Sequence, residues 1–209
     1  MRKRKIEIFN IIKDDILNNA KSYFIVFVIF IVGLFSGVLF VNQTHEKNMI
    51  ENYINTYIDE TKSIQNGNYF KELKNDVKKN ITLVLLLWFA GTTIIGIPIV
   101  LGIILFRGFC LGYTIAACVY VMGRAKALIF IAITVLLQNI IFIPAIMILG
   151  VSSIKLYKSI IKDRRKENIK VSILKHSMVS IGILIALVIS SIVKIEISYR
   201  LIVKLIKYF

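Results

Sequence analysis

The sequence predicts an all-α integral membrane protein with five transmembrane helices, its N-terminus inside and its C-terminus outside, accompanied by amphipathic helices at the interfaces. Three observations carry this expectation. Hydrophobic residues make up 57 % of the 209 positions and the mean hydropathy is +0.76, more apolar surface than a soluble globule can hide. The apolar residues fall in runs long enough to cross a hydrocarbon layer about 30 Å thick. The charges, a net +15, cluster between those runs and at the chain ends, where anionic lipid headgroups are the nearest partner. Nucleic-acid binding is not expected.

Residues 1–21 open with Arg2, Lys3, Arg4 and Lys5, then place Ile8, Phe9, Ile12, Ile16 and Leu17 at helical spacing opposite charged positions. This pattern predicts a cytoplasmic amphipathic helix on the membrane surface. Residues 22–41 are uncharged and apolar over twenty positions, enough for a first span. Residues 42–80 form an extracytoplasmic segment whose lysines balance its carboxylates. Within it Met49, Ile50, Tyr53, Ile54, Tyr57 and Ile58 make one apolar helical face. That face either packs on the protein's own helices and the bilayer or meets a partner. Asn66, Gly67 and Asn68 signal a turn before a weaker stripe through Phe70, Leu73 and Val77.

Residues 81–106 predict a second span, kinked because Gly91, Gly96 and Pro98 interrupt it. Arg107 then separates it from a short third span, 108–122. After a turn from Gly123 to Lys126, residues 127–151 predict a fourth span. The segment 152–176 is a basic cytoplasmic loop, residues 177–193 a fifth short span, and residues 194–209 an amphipathic tail at the interface. With the N-terminus inside, the inner segments carry a net +10 and the outer ones a net +5, the sense the positive-inside rule requires.

Polar residues inside apolar runs must find partners. Gln138 and Asn139 in the fourth span are therefore expected to hydrogen-bond between helices, and Pro144 to bend that span. Gly33 with Gly37, and Gly108 with Gly112, are small-residue pairs one helical turn apart that let helices approach closely, within one chain or between copies. Cys110 and Cys118 lie about 12 Å apart along one helix and cannot bridge each other. His45 and His176 lack companions at metal-ligand spacing and are expected at the surface or interface. With Arg107 between spans, no span centre carries a charge, and no phosphate-loop, zinc-protease or nucleophile-elbow motif is present. No cofactor, metal site or enzymatic activity is expected.

A set of residues in order along the chain carries a resemblance. It comprises the basic start, Gly37 with Val41 and Asn42, Trp88 with Gly91, Ile95 through Val100 with Gly96 and Pro98, Arg107 through Thr114, Gln138–Asn139 with Ile143–Pro144, and Glu196. In these positions the chain resembles the stage II sporulation protein M family. It departs from the family's usual pattern at Leu137, where proline is common, and at Tyr199–Arg200. The resemblance implies a non-enzymatic membrane scaffold for engulfment, the step in which the mother-cell membrane moves around the forespore. It also implies two partners, the peptidoglycan hydrolases stage II sporulation proteins D and P, held at the mother-cell side of the septum. A permease-like subunit working with a cytoplasmic ATPase is the alternative from another class.

Overall fold

A computed structural model describes residues 15–44, 47–63, 69–93, 95–161 and 169–205. All the regular structure among them is helical: α1 (Ala20–Gln43), α2 (Lys47–Ser63), α3 (Tyr69–Thr92), α4 (Gly96–Met122), α5 (Arg124–Ile131), a π turn (Ala132–Leu136), α6 (Leu137–Ile161) and α7 (Ile169–Leu205). The expected surface helix over residues 1–21 falls largely outside the described residues, as does the turn at Asn66–Asn68.

Among the described residues, four segments are long and apolar enough to cross a membrane: Ala20–Gln43, Gly96–Met122, Asn139–Ile161 and Ile169–Glu196. Their outward faces carry large apolar side chains, among them Phe24, Phe35, Phe106, Ile140, Ile181 and Ile185. Such a surface is stable only against hydrocarbon. The protein is a membrane protein. Helix α3 is the fifth long element of the bundle, but only its second half, from Ile81, is apolar.

Helices α1 and α4 make the most extensive contact. A Cβ on Gly33 would strike the Leu105 carbonyl, and one on Gly37 the Phe109 carbonyl. Across the contact, Gly108 faces the carbonyl of Phe30 and Gly112 that of Leu34. The partners advance together along both helices, so α1 and α4 run parallel. Glycine is required at all four places because backbone meets backbone, a geometry that also admits Cα–H···O contacts. Phe40 closes the far end of the seam on Phe109, ring centroids 5.8 Å apart.

Helices α3 and α7 run antiparallel, tied by Asp76 to Lys194, Asn80 to Ser191 and Trp88 to Ser177. Helix α6 lies against α1, α4 and α7, with Gly150 seated on Ile104 and Val26. Val26, Leu87, Val100, Ile104, Leu149 and Leu187 are fully buried where these helices meet. A second core forms at the other end. There Ile50 and Ile54 of α2 are buried with Val41, Ala117, Cys118 and Ala127.

Several boundaries differ from the sequence expectation. Helix α3 ends at Thr92 and α4 begins at Gly96, so the boundary is not at Arg107, and α4 runs unbroken through the arginine. Pro98 is the reason, though not as a kink. It occupies the first turn of α4, where a missing N–H costs nothing, and it cannot continue a helix from α3. Gly96 completes the turn by donating to the Thr93 carbonyl, in a space where a Cβ would collide with the Ala90 carbonyl. Arginine, by contrast, is a good helix former. The fourth span is not one apolar run over 127–151. It is a short helix, a π turn and then α6, which extends to Ile161 with Pro144 inside it. Lys155 and Lys158 consequently sit on a helix rather than in a loop. Helix α7 continues past Lys194 to Leu205 instead of ending at Val193, so the tail is not a separate interfacial element over its described part.

The glycine seam gives a paired prediction. Gly112→Ala overpacks a backbone contact and should destabilise the bundle by about 1–3 kcal/mol. Gly102→Ala, with nothing within 4 Å of the added methyl, should leave stability unchanged or raise it by under about 1 kcal/mol. Denaturant unfolding of both variants in one detergent checks the contrast; equal stabilities would refute the seam.

Candidate functional site: a cationic vestibule around Arg107

Arg107 stands twelve residues into a 27-residue apolar helix, about 16 Å from its start and 22 Å from its end along the axis. It is level with the glycine seam, since the adjoining Gly108 faces Phe30 in the middle of α1. This corrects the expectation that no span centre is charged. An ionisable group at such depth needs a polar environment inside the bundle, and Arg107 lines a cavity of about 370 Å³ with walls from α2, α3, α4, the π turn, α6 and α7.

Each wall supplies chemistry. On one side the guanidinium lies over the Phe142 ring, 5.2 Å from its centroid, a cation–π contact that stabilises charge without a counter-ion. Lys79 and the Lys194–Asp76 pair, 2.8 Å apart, stand toward the α2 end. Asp76 Oδ2 is buried and has no hydrogen-bond partner among the described residues. Tyr53 reaches in from α2 and shares a 2.8 Å hydrogen bond with Thr114, whose hydroxyl also donates to the Cys110 carbonyl. Burial pushes the Tyr53 phenol above its ordinary pKa, outweighing the opposite pull of Thr114, so the group remains a neutral hydroxyl. The cavity thus holds three cations against one carboxylate, lined by hydroxyls and amides. It can hold an anionic group or ordered water.

The positions singled out from sequence fall in three places. Gly33, Gly37, Gly108 and Gly112 all meet in the α1–α4 seam. Asn139 lines the vestibule, but its amide donates to Val135 at 2.7 Å, within its own helix rather than across to another. The carbonyl it reaches belongs to the π turn immediately before α6, the same four-residue reach that Thr114 makes to Cys110. The side chain of Gln138 is outside the described set. Of the α2 face, Ile50 and Ile54 are buried in the chain's own core and cannot serve a partner, whereas Met49 and Tyr53 are exposed. Tyr57 and Ile58 have no described side chains. Asn42 is exposed in the last turn of α1, and Glu196 lies on α7 near the mouth marked by Lys194.

Trp88 donates its indole N–H to Ser177 at 3.0 Å. Gly91, one turn on, is pressed against Ser153 and His176. His176 is buried, not interfacial as expected, and its Nδ1 is 2.8 Å from the Ser152 hydroxyl. Among the described residues no group of three His, Cys, Asp or Glu side chains comes together as a metal site.

Of the positions carrying the sequence resemblance, Gly37, Gly96, Arg107, Gly108 and Gly112 make the seam, the α3–α4 turn and the vestibule, and Trp88 and Gly91 join α3 to α7 and α6. The family model for stage II sporulation protein M matches residues 26–196. The chain belongs to this family. No match was found among curated proteins or among solved structures. The matched region includes every helix from α2 to α6 and the greater part of α1 and α7, so the seam and the vestibule both lie within the family's extent.

What sequence reading missed was the vestibule. Its signal was present, since Arg107 is flanked on both sides by uncharged apolar stretches. A polar, positive cavity makes a labelling prediction. Cys110 is half-buried at its wall and Cys118 is fully buried. Hydrophilic thiol reagents should modify Cys110 and spare Cys118 in the folded protein, with an anionic methanethiosulfonate reacting about tenfold faster than a cationic one. Equal rates for the two charges, read by mass spectrometry, would contradict a positive vestibule.

Proposed function

We propose that this protein is a non-enzymatic membrane scaffold of the engulfment machinery, crossing the mother-cell side of the sporulation septum five times and holding the peptidoglycan hydrolases D and P. The observation that carries the reading is membership of the stage II sporulation protein M family over most of the chain. Physical support comes from the antiparallel register of α3 with α7. The Asp76–Lys194 and Trp88–Ser177 contacts keep α3 beside α7 along much of its length, which supports reading α3 as a fifth traverse despite its polar first half. An odd number of traverses puts the two chain ends on opposite sides. The charge bias between inner and outer segments then assigns α2 and the mouth of the vestibule to the wall side.

A scaffold works by effective concentration. Two hydrolases fixed at one membrane position act on adjacent wall without any gain in intrinsic activity. The exposed edge of α2 at Met49 and the outer faces of the bundle are where partner spans would dock. One observation favours the second reading, a permease-like subunit driven by a separate ATPase: a charged cavity lined by helices is also how a transported anion would be held.

Affinity purification of the tagged chain from a detergent extract of sporulating cells should recover both hydrolases. Recovery of a nucleotide-binding protein with neither hydrolase would replace the scaffold by the permease. The topology is checked separately by Lys170→Cys in a Cys110→Ser background, where an impermeant maleimide should leave residue 170 unmodified in intact cells; labelling of that cysteine from outside would overturn the orientation.

A further inference from the structure

At the end of the bundle away from α2, helices α1 and α7 both pack on α6 without substantial contact between themselves. Between them lies a groove of about 600 Å³. Its lining changes character in the same direction on all three helices. On α6, Lys158, Ser159 and Lys155 come nearest the helix end, and Ile148 lies about 15 Å deeper than Lys158. On α7, Ser172 and Lys175 come first, and Met178 and Val179 follow toward the membrane interior. On the α1 side, Asp15 and Asn19 precede the Tyr23 ring.

Among the described residues the cations of the groove outnumber its carboxylates. Asp15 is the one carboxylate that these residues supply, and it is engaged by Lys155. Lys158 donates to the Ser22 hydroxyl at 2.9 Å and pairs with no carboxylate among the described residues. Lys175 is exposed and has no carboxylate partner among the described residues. The deeper lip is open sideways, with Met178 66 % exposed and Ile148 41 % exposed. A groove that is cationic at headgroup level, apolar beneath and open to the bilayer matches one kind of molecule, in which a phosphate and acyl chains are joined in that order.

We propose that the α1–α6–α7 groove binds an anionic glycerophospholipid. Its phosphate sits on Lys158 and Lys175, with the hydroxyls of Ser159 and Ser172, themselves 2.8 Å apart, close by. An acyl chain runs along Ile148, Met178 and Val179. A zwitterionic lipid brings its own ammonium to the same place and loses the advantage. The groove thereby ties the packing of α1 against α6 and α7 to the composition of the leaflet at this end.

The purified full-length chain in nanodiscs of mixed phosphatidylglycerol and phosphatidylcholine, released into a mild detergent, should retain phosphatidylglycerol selectively when read by native mass spectrometry. Removing charge with Lys158→Gln and Lys175→Gln should weaken that selectivity by about fivefold per lysine. Lys71→Gln with Lys74→Gln, an equal charge loss on α3, should leave it intact. Equal retention of the two lipids, or undiminished selectivity in the groove variant, overturns the proposal. So does soluble glycerol phosphate displacing the lipid at comparable concentration, because the site would then be one for free phosphate. Should the lysine variant fail to fold, Met178→Trp fills the apolar floor instead; a folded protein that keeps its lipid also overturns the proposal. The hydrolases take no part in this measurement, so its failure leaves the scaffold reading standing.

Discussion

The close approach of α1 and α4 is the constraint on which the rest of the bundle depends. In lipid, side chains gain nothing by leaving hydrocarbon for hydrocarbon, so helix association must come from packing, backbone proximity and polar contacts. Four glycines let two parallel helices bring carbonyl and Cα into contact along about two turns. The paired surface then receives α6, through Gly150 on Ile104 and Val26. Helix α7 follows on α6, and α3 is held to α7 by Asn80 and Trp88. The seam also sets depth, because Gly108 cannot meet Phe30 unless Arg107 lies halfway through the bundle.

That depth explains the arrangement of polar groups. Arg107 is kept out of hydrocarbon by an internal cavity, an aromatic face and hydroxyls from α2 and α4. At the opposite end the lysines of α6 and α7 gather around a groove that opens sideways to lipid. The two cationic places differ in their walls: one lies between helices toward the α2 end and contains Arg107, the other lies between α1, α6 and α7 at the opposite end. For a protein proposed to hold enzymes rather than to act on substrate, a cationic cavity at one end and the proposed lipid-binding groove at the other would provide separate handles on its position.

Much of this was legible in the residues. The apolar runs named the solvent, the Met49–Ile58 periodicity named α2, and the small-residue spacing named the helix faces that meet. The reading erred where a single residue was asked to decide a boundary. Arg107 looked like a gap between spans because charge is unfavourable in lipid, yet a cavity supplied by five other elements removes that cost. Pro98 looked like a kink because proline breaks a helix interior, yet in a first turn it starts one. Asn139 looked like an interhelical donor, but a local π turn offered it a nearer carbonyl.

The sequence by itself determined that the protein lives in a membrane, which segments are helical and which faces are apolar, because hydropathy and periodicity are local properties of the chain. Only the tertiary structure decided that the four glycines face one another, that Ile50 and Ile54 are spent on the chain's own core, and that an arginine can rest in mid-bundle. Those outcomes depend on which distant helices lie alongside, and a cavity has no residue of its own to be read.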